Sequence, residues 1–188
     1  MTFDFQAARL TMVESQVRTA DVTDYLVQDA MRVAPREALC PPAKMAIAYA
    51  DADIEYAPGL YLLRPRAIGK LLQAVKPVAG EKALAIAAPY GAQVLRTGGL
   101  VVDEISADQT PAKSAYQVII VEGSVAEVPA SWTAALAEGG RMAVIVRAGP
   151  MGKAQLYAKT DGRVVSYEVF DAAAAFLPGH EPKAQFAF

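Results

Sequence analysis

The chain has 188 residues, of which 54% are hydrophobic and 20% charged, with a net charge of -2, a pI near 5.5 and a mean hydropathy of +0.22. That length holds one main domain with a substantial core. The 18 Lys and Arg are scattered rather than clustered, so nucleic acid is not expected as a partner, and no apolar run reaches the roughly 20 residues of a membrane span, so no membrane is expected either.

The single cysteine, Cys40, rules out an internal disulfide, and the opening residues lack the charged and apolar regions of a signal peptide. A cytoplasmic location is the expectation. Cys40 follows Leu39 beside two prolines, which suits a small buried hydrophobe better than a nucleophile.

Phe5 to Val33 reads as two helices, with Leu10, Val13 and Val17, then Val22, Leu26, Ala30 and Val33, at helical spacing. Asp21 or Thr23 is placed to cap the second, and Pro35 ends it. A short apolar helical piece, Ala43 to Tyr49, follows Pro41 and Pro42. The acidic stretch Asp51 to Glu55 suits a solvent-facing turn or edge strand better than paired catalytic carboxylates. Leu60 to Leu63 reads as a short strand, and Arg64-Pro65 opens a helix running to Lys76-Pro77.

The stretch that organises the chain is Glu81-Lys-Ala-Leu-Ala-Ile-Ala-Ala-Pro-Tyr-Gly-Ala-Gln93. Its apolar run, Ala83 to Ala88, reads as the first buried strand of a parallel sheet, broken at Pro89 and Gly91, and ligands in such sheets sit just past this end. A shortened helix, Ala92 to Thr97, is closed by Gly98-Gly99. Leu100 to Ile105 is the next strand, the polar segment Ser106 to Ala115 leaves little room for a helix, and Tyr116 to Val121 is a central strand. Pro129 or Ser131 starts a helix through Trp132 and Leu136 that Gly139-Gly140 ends, and Arg141 to Arg147 is a fourth core strand. Asp161-Gly162, between Ala154–Lys159 and Arg163–Val169, is the strongest hairpin signal in the chain. Ala172 to Ala175 and a terminal Phe186 to Phe188 complete a C-terminal edge. His180 is the one histidine, so a Ser-His-Asp triad or histidine metal cluster would rest on it alone.

Parallel strands followed by an antiparallel hairpin resemble the class I S-adenosylmethionine methyltransferases. The segments Met12-Val-Glu-Ser-Gln-Val-Arg18, Ala30-Met-Arg-Val-Ala-Pro-Arg-Glu37, Pro41-Pro42, Ala48-Tyr-Ala-Asp51, Gly59 to Pro65 and Leu136-Ala-Glu-Gly-Gly-Arg-Met142 are similar to those of the protein-L-isoaspartate O-methyltransferases. The resemblance implies a Rossmann-like α/β sheet, mostly parallel with a C-terminal antiparallel hairpin, truncated at one edge and preceded by N-terminal helices. It divides into a helical extension, residues 1–58, and a methyltransferase-like unit, residues 59–188. It also implies transfer of a methyl group from S-adenosylmethionine to isoaspartyl carboxylates.

Laid on this chain, the family's cofactor loop puts its acidic position on Ala85, its first glycine on Ala87, its second on Pro89 and its third on Gly91. Alanine adds a methyl and proline removes an N–H where a ligand should meet backbone. Asp103 or Glu104 falls where the family holds the ribose hydroxyls. On the substrate side Gly59 and Pro65 remain, but the hydroxyl-bearing positions fall on Tyr61 and Leu63. Where the family's relatives often have Asp in the region of their fourth strand, this chain has Gln117, in Tyr116 to Val121, with Glu122 following that strand. The expectation is a degenerate, non-catalytic member with no catalytic residue, no metal and no cofactor, acting as a binding or interaction protein. The alternative is an active S-adenosylmethionine-dependent enzyme with an altered loop. A strand and helix missing from one edge would expose apolar surface, so a homodimer or a complex with another protein is expected, through Leu100 to Ile105 or the N-terminal helices.

Overall fold

The computed structural model describes residues 4–183; the strand expected at Phe186 to Phe188 lies outside them. Asp4 caps α1 (Phe5–Met12) by accepting from the Ala7 N–H at 2.9 Å. The helical path then widens into a π turn, Val13–Val17, tightens to a 3-10 turn, Arg18–Ala20, and stops where Asp21 turns left-handed at φ 64°. The second helix, α2 (Tyr25–Val33), is capped by Asp24, not by Asp21 or Thr23: Asp24 Oδ1 accepts from the Val27 N–H at 3.0 Å. The Thr23 and Asp24 N–H groups instead donate to Gln73 Oε1 at 2.6 and 2.9 Å, which ties this corner to the third helix. Pro35 precedes two 3-10 turns, Arg36–Leu39 and Pro42–Ile47.

A small antiparallel hairpin, β1 (Ile54–Ala57) and β2 (Leu60–Leu62), leads to α3 (Pro65–Ala74), which has proline at its first position. The 58/59 boundary falls at the turn of this hairpin. The main sheet follows as β3 (Lys82–Ile86), β4 (Val101–Ile105), β5 (Tyr116–Val125), β6 (Leu136–Arg147), β7 (Gly152–Thr160) and β8 (Arg163–Ala172), in spatial order β4-β3-β5-β6-β7-β8. β4, β3, β5 and β6 are parallel, and β7 and β8 antiparallel. This is the mostly parallel sheet with a C-terminal hairpin that the sequence pattern implies. Asp161 and Gly162 take φ 52° and 73°, as a two-residue turn of that hairpin requires.

Alternation along β3 and β5 divides the core. Ala83, Ala85, Val118 and Ile120 face the N-terminal helices, while Leu84, Ile86, Ile119 and Val121 face Trp132 and Leu177. The first face receives α1, α2, α3 and α4 (Pro89–Thr97), so the N-terminal helices share one core with the sheet. The second has only α5 (Ala130–Ala134), shorter than expected because its chain enters β6 at Leu136, well before Gly139-Gly140. Residues 106–115 hold no helix, as their length dictates, and β4 is left at the sheet edge.

Candidate functional site

Pro89 is not the break its position in the sequence implies. It is the first residue of α4 (Pro89–Thr97), where a missing N–H costs nothing and the fixed φ suits the helix. The helix lies close on the sheet because the facing residues are small: a Cβ on Gly91 would stand 3.2 Å from Ile120 Cγ2. Gly91 is thus held by packing. Ala87, in the place of the family's first glycine, sits at φ 46°, a left-handed conformation that costs a residue with a Cβ about 1 kcal/mol or more.

The helix start turns inward onto one side chain. Glu122, expected just past its strand, lies inside β5, 1% exposed. Its Oε2 accepts from the Tyr90 and Gly91 N–H groups at 3.0 and 3.2 Å, and its Oε1 from the Leu63 N–H at 3.3 Å. One carboxylate therefore bridges the turn after β3 and the segment after β2, and it takes the N–H groups and the positive dipole end that an external anion would use. Burial pushes its carboxyl up to about 7, against the opposing pull of Arg36 and the three N–H groups.

Arg36 is fully buried beside this carboxylate without forming a direct ion pair. Its Nε donates to the Ala48 carbonyl at 2.8 Å, its Nη2 to the Leu62 carbonyl at 3.4 Å, and its guanidinium lies 4.8 Å from the Tyr90 ring centroid. Tyr90 points beneath the helices, and burial raises its hydroxyl pKa. Arg36 Nη1 and the Tyr90 hydroxyl have no hydrogen-bond partner. Next to them Arg9 donates to Tyr49 at 2.9 Å and pairs with Glu37 at 3.0 Å, and Tyr49 donates to Glu37. Burial, with the Glu37 hydrogen bond, pushes Tyr49 up to about 12.

A cleft of about 340 Å³ remains outside this plug, lined by residues that include Tyr56, Ala87, Pro89, Glu104, Ser106 and Gln109. Glu104 faces it and pairs with Arg96 at 2.5 Å. Asp103 projects from the other face of β4, where it accepts from the Tyr116 hydroxyl at 3.0 Å and pairs with Lys82 at 3.2 Å. The Tyr116 hydrogen bond, then Lys82, lowers the Asp103 pKa. The two acidic candidates are thus separated, and only Glu104 lines the cleft. Among the substrate-side candidates, Gly59 forms the β1–β2 turn at φ 72°, Tyr61 is half-buried in β2 opposite Glu55, and Pro65 is buried at the start of α3. None of the three lines the cleft; Leu60 and Tyr56 do.

His180 Nε2 lies 3.2 Å from the Ala107 carbonyl and its ring sits tilted at 44° against that of Trp132, centroids 5.2 Å apart, so it closes the C-terminal segment over the sheet. Among the described residues no group of three His, Cys, Asp or Glu is placed to hold a metal ion. Nor is any helix there long and apolar enough to cross a membrane.

The parallel sheet, the cleft past β3 and the terminal hairpin define a class I methyltransferase fold. A solved protein-L-isoaspartate O-methyltransferase is similar at a TM-score of 0.71 with 21% identity, over 92% of this chain and 66% of that one. A second, described as a beta-aspartate methyltransferase from Plasmodium falciparum in complex with S-adenosyl-L-homocysteine, gives 0.69 with 14% identity over 90% and 97%. The family model for protein-L-isoaspartate(D-aspartate) O-methyltransferase matches residues 106–180. A protein-L-isoaspartate O-methyltransferase of Aeropyrum pernix is 28% identical over 93% of this chain and 80% of its own length. One of Methylorubrum populi is 27% identical over 78% and 82%. In fold and in sequence the chain is similar to the protein-L-isoaspartate O-methyltransferases.

Proposed function

We propose that this chain keeps the family scaffold without its chemistry, needs no S-adenosylmethionine, and acts in the cytoplasm through contact with protein. The observation that carries the reading is Glu122. Methyl transfer needs donor and acceptor to meet between the cofactor turn and the substrate-side segment, and here a carboxylate joins the two through Tyr90, Gly91 and Leu63. A cofactor carboxylate brought to the same N–H groups would find them occupied, and wherever Glu122 is ionised, above about pH 7, two like charges at 4 Å repel by about 4 kcal/mol at an effective dielectric of 20. The donor set therefore does not fit the cofactor's amino-acid end, and the methyl on left-handed Ala87 compounds the misfit. The test is incubation with labelled S-adenosylmethionine and an isoaspartyl peptide. The reading expects no labelled ester above a protein-free blank, and turnover of the peptide would overturn it.

One observation favours the alternative, an active protein-L-isoaspartate O-methyltransferase. Glu104 still lines a cleft past the second parallel strand, where a ribose would be held. Under that reading Glu104→Gln would abolish the label; under ours it changes nothing.

A further inference from the structure

Among the described residues the sheet ends in a strand with nothing on its far side. β8 is last in the sheet order, and Arg163 to Val169 are exposed throughout. Val164, Val165, Tyr167 and Val169 are 37%, 43%, 58% and 47% exposed. Edges of this kind are normally blunted by proline, charge or a bulge. The β8 edge has no proline, and its register shift, opposite Ala154 and Gln155, comes only after Glu168. The other edge is different in kind. β4 carries Asp103 and Glu104 side by side, so two copies of it would set carboxylates against carboxylates.

The hairpin fixes which backbone groups of β8 face outward. Thr160 and Arg163 flank its two-residue turn, and such a pair exchanges both hydrogen bonds. Counting along the strand, Arg163, Val165 and Tyr167 direct N–H and C=O at β7, while Val164, Ser166 and Glu168 direct theirs away from it. Val165 and Tyr167, opposite Ala158 and Leu156, put their side chains on one face.

We infer that β8 pairs antiparallel with β8 of a second copy of this chain, about a two-fold axis at Ser166, joining two six-stranded sheets into one. In this register Ser166 meets its counterpart, Val164 meets Glu168 of the second copy, and Val165 meets Tyr167 of the second copy. The outward backbone groups of Val164, Ser166 and Glu168 are then all paired. Charge selects this occupant: at the turn end Lys159 and Arg163 outnumber Asp161, and at the far end Glu168 and Asp171 outnumber Lys153, which pairs with both at 3.6 and 2.6 Å. An antiparallel copy brings the cationic end of one strand to the anionic end of the other, whereas a parallel copy aligns like with like. The two Val–Tyr contacts are of the aromatic and β-branched kind that stabilises strand pairs. The inference deepens the reading of a protein that works by protein contact, and it names the partner as this chain itself.

A strand pair buries less than the roughly 800 Å² per partner of an ordinary stable interface, the size class of weak contacts, so the proposal expects a dissociation constant on the order of micromolar. Sedimentation equilibrium of the full chain from about 1 to 200 μM should show the mass doubling across that range. Tyr167→Lys and Ser166→Pro should each raise the dissociation constant at least tenfold. The Ser166 N–H points away from β7, so proline there removes nothing from the hairpin ladder, and an unchanged circular dichroism melt verifies the fold of both variants. Val101→Lys on the opposite edge should leave the dimer intact. A wild-type monomer throughout would overturn the inference, as would a dimer that Val101→Lys breaks or Tyr167→Lys spares. None of these positions lines the cleft, so the outcome is read separately from any ligand titration.

Discussion

Replacing Glu122 by glutamine separates the two forces acting on the buried carboxyl. Its pKa is pushed from 4.5 up to about 7, with burial the largest cause and Arg36 and the backbone N–H groups of Gly91, Tyr90 and Leu63 opposing it. The folded state therefore holds this proton more tightly than the unfolded chain, and between pH 4.5 and about 7 it binds more protons. Stability is fully present below 4.5, falls through that window and is level above it. At about 1.4 kcal/mol per pH unit the loss is about 3 kcal/mol. Glutamine keeps the shape and an acceptor oxygen but never ionises. Its NH2 faces the Leu63 N–H in place of an acceptor oxygen, at a cost of about 1–2 kcal/mol at every pH, so Glu122→Gln should fall below the wild type by that much at pH 4.5 and exceed it by about 1–2 kcal/mol at pH 8. Urea unfolding followed by the fluorescence of Trp132, the one tryptophan and itself 1% exposed, reads the difference. A variant that is less stable than wild type at pH 8 would show that the ionised form holds the fold together through Arg36 and the helix N–H groups, and would refute the reasoning.

Ala87→Gly should stabilise the protein by about 0.5–1 kcal/mol, because glycine relieves the left-handed strain at φ 46° and gives part of that back in chain entropy; a thermal melt reads it. Arg141→Ala should destabilise by about 2–4 kcal/mol in the same urea titration, since its guanidinium donates to the Val75, Lys76 and Gln117 carbonyls and pairs with Glu81 at 2.7 Å. Burial raises the Glu81 pKa, but Arg141 and the Val78 N–H together outweigh it and the net shift is downward. This pair's share of stability is therefore lost as pH falls, and the penalty of Arg141→Ala should shrink in acid.

The parts of this fold that were legible in the sequence are those written in local chemistry. Asp161-Gly162 tolerates two successive positive φ angles, which marked the hairpin, and the apolar runs of β3, β5 and β6 marked strands buried on both faces. Pro89 reads as a break because proline both ends and begins helices, and only the packing of α4, through Gly91, on Ile120 of β5 decides between the two. Asp24 rather than Asp21 caps α2 because Asp21 is spent on ending the preceding 3-10 turn. Asp103 and Glu104 were equivalent on paper, and the strand pleat separates them. The Glu122 plug and Arg36 join segments far apart in the chain, so no local pattern announced them together. The signal that was there is Glu122 itself: a carboxylate in the midst of the apolar run Tyr116 to Val125 needs buried hydrogen-bond donors, and Tyr90, Gly91 and Leu63 supply them.

The claim on which the account turns is that the N–H groups opening α4 are already taken by the protein's own carboxylate. Isothermal titration of the wild-type chain with S-adenosylhomocysteine measures this directly. The account predicts no saturable heat at ligand concentrations on the order of 1 mM; a saturable isotherm with a dissociation constant of about 10 μM or tighter would contradict it.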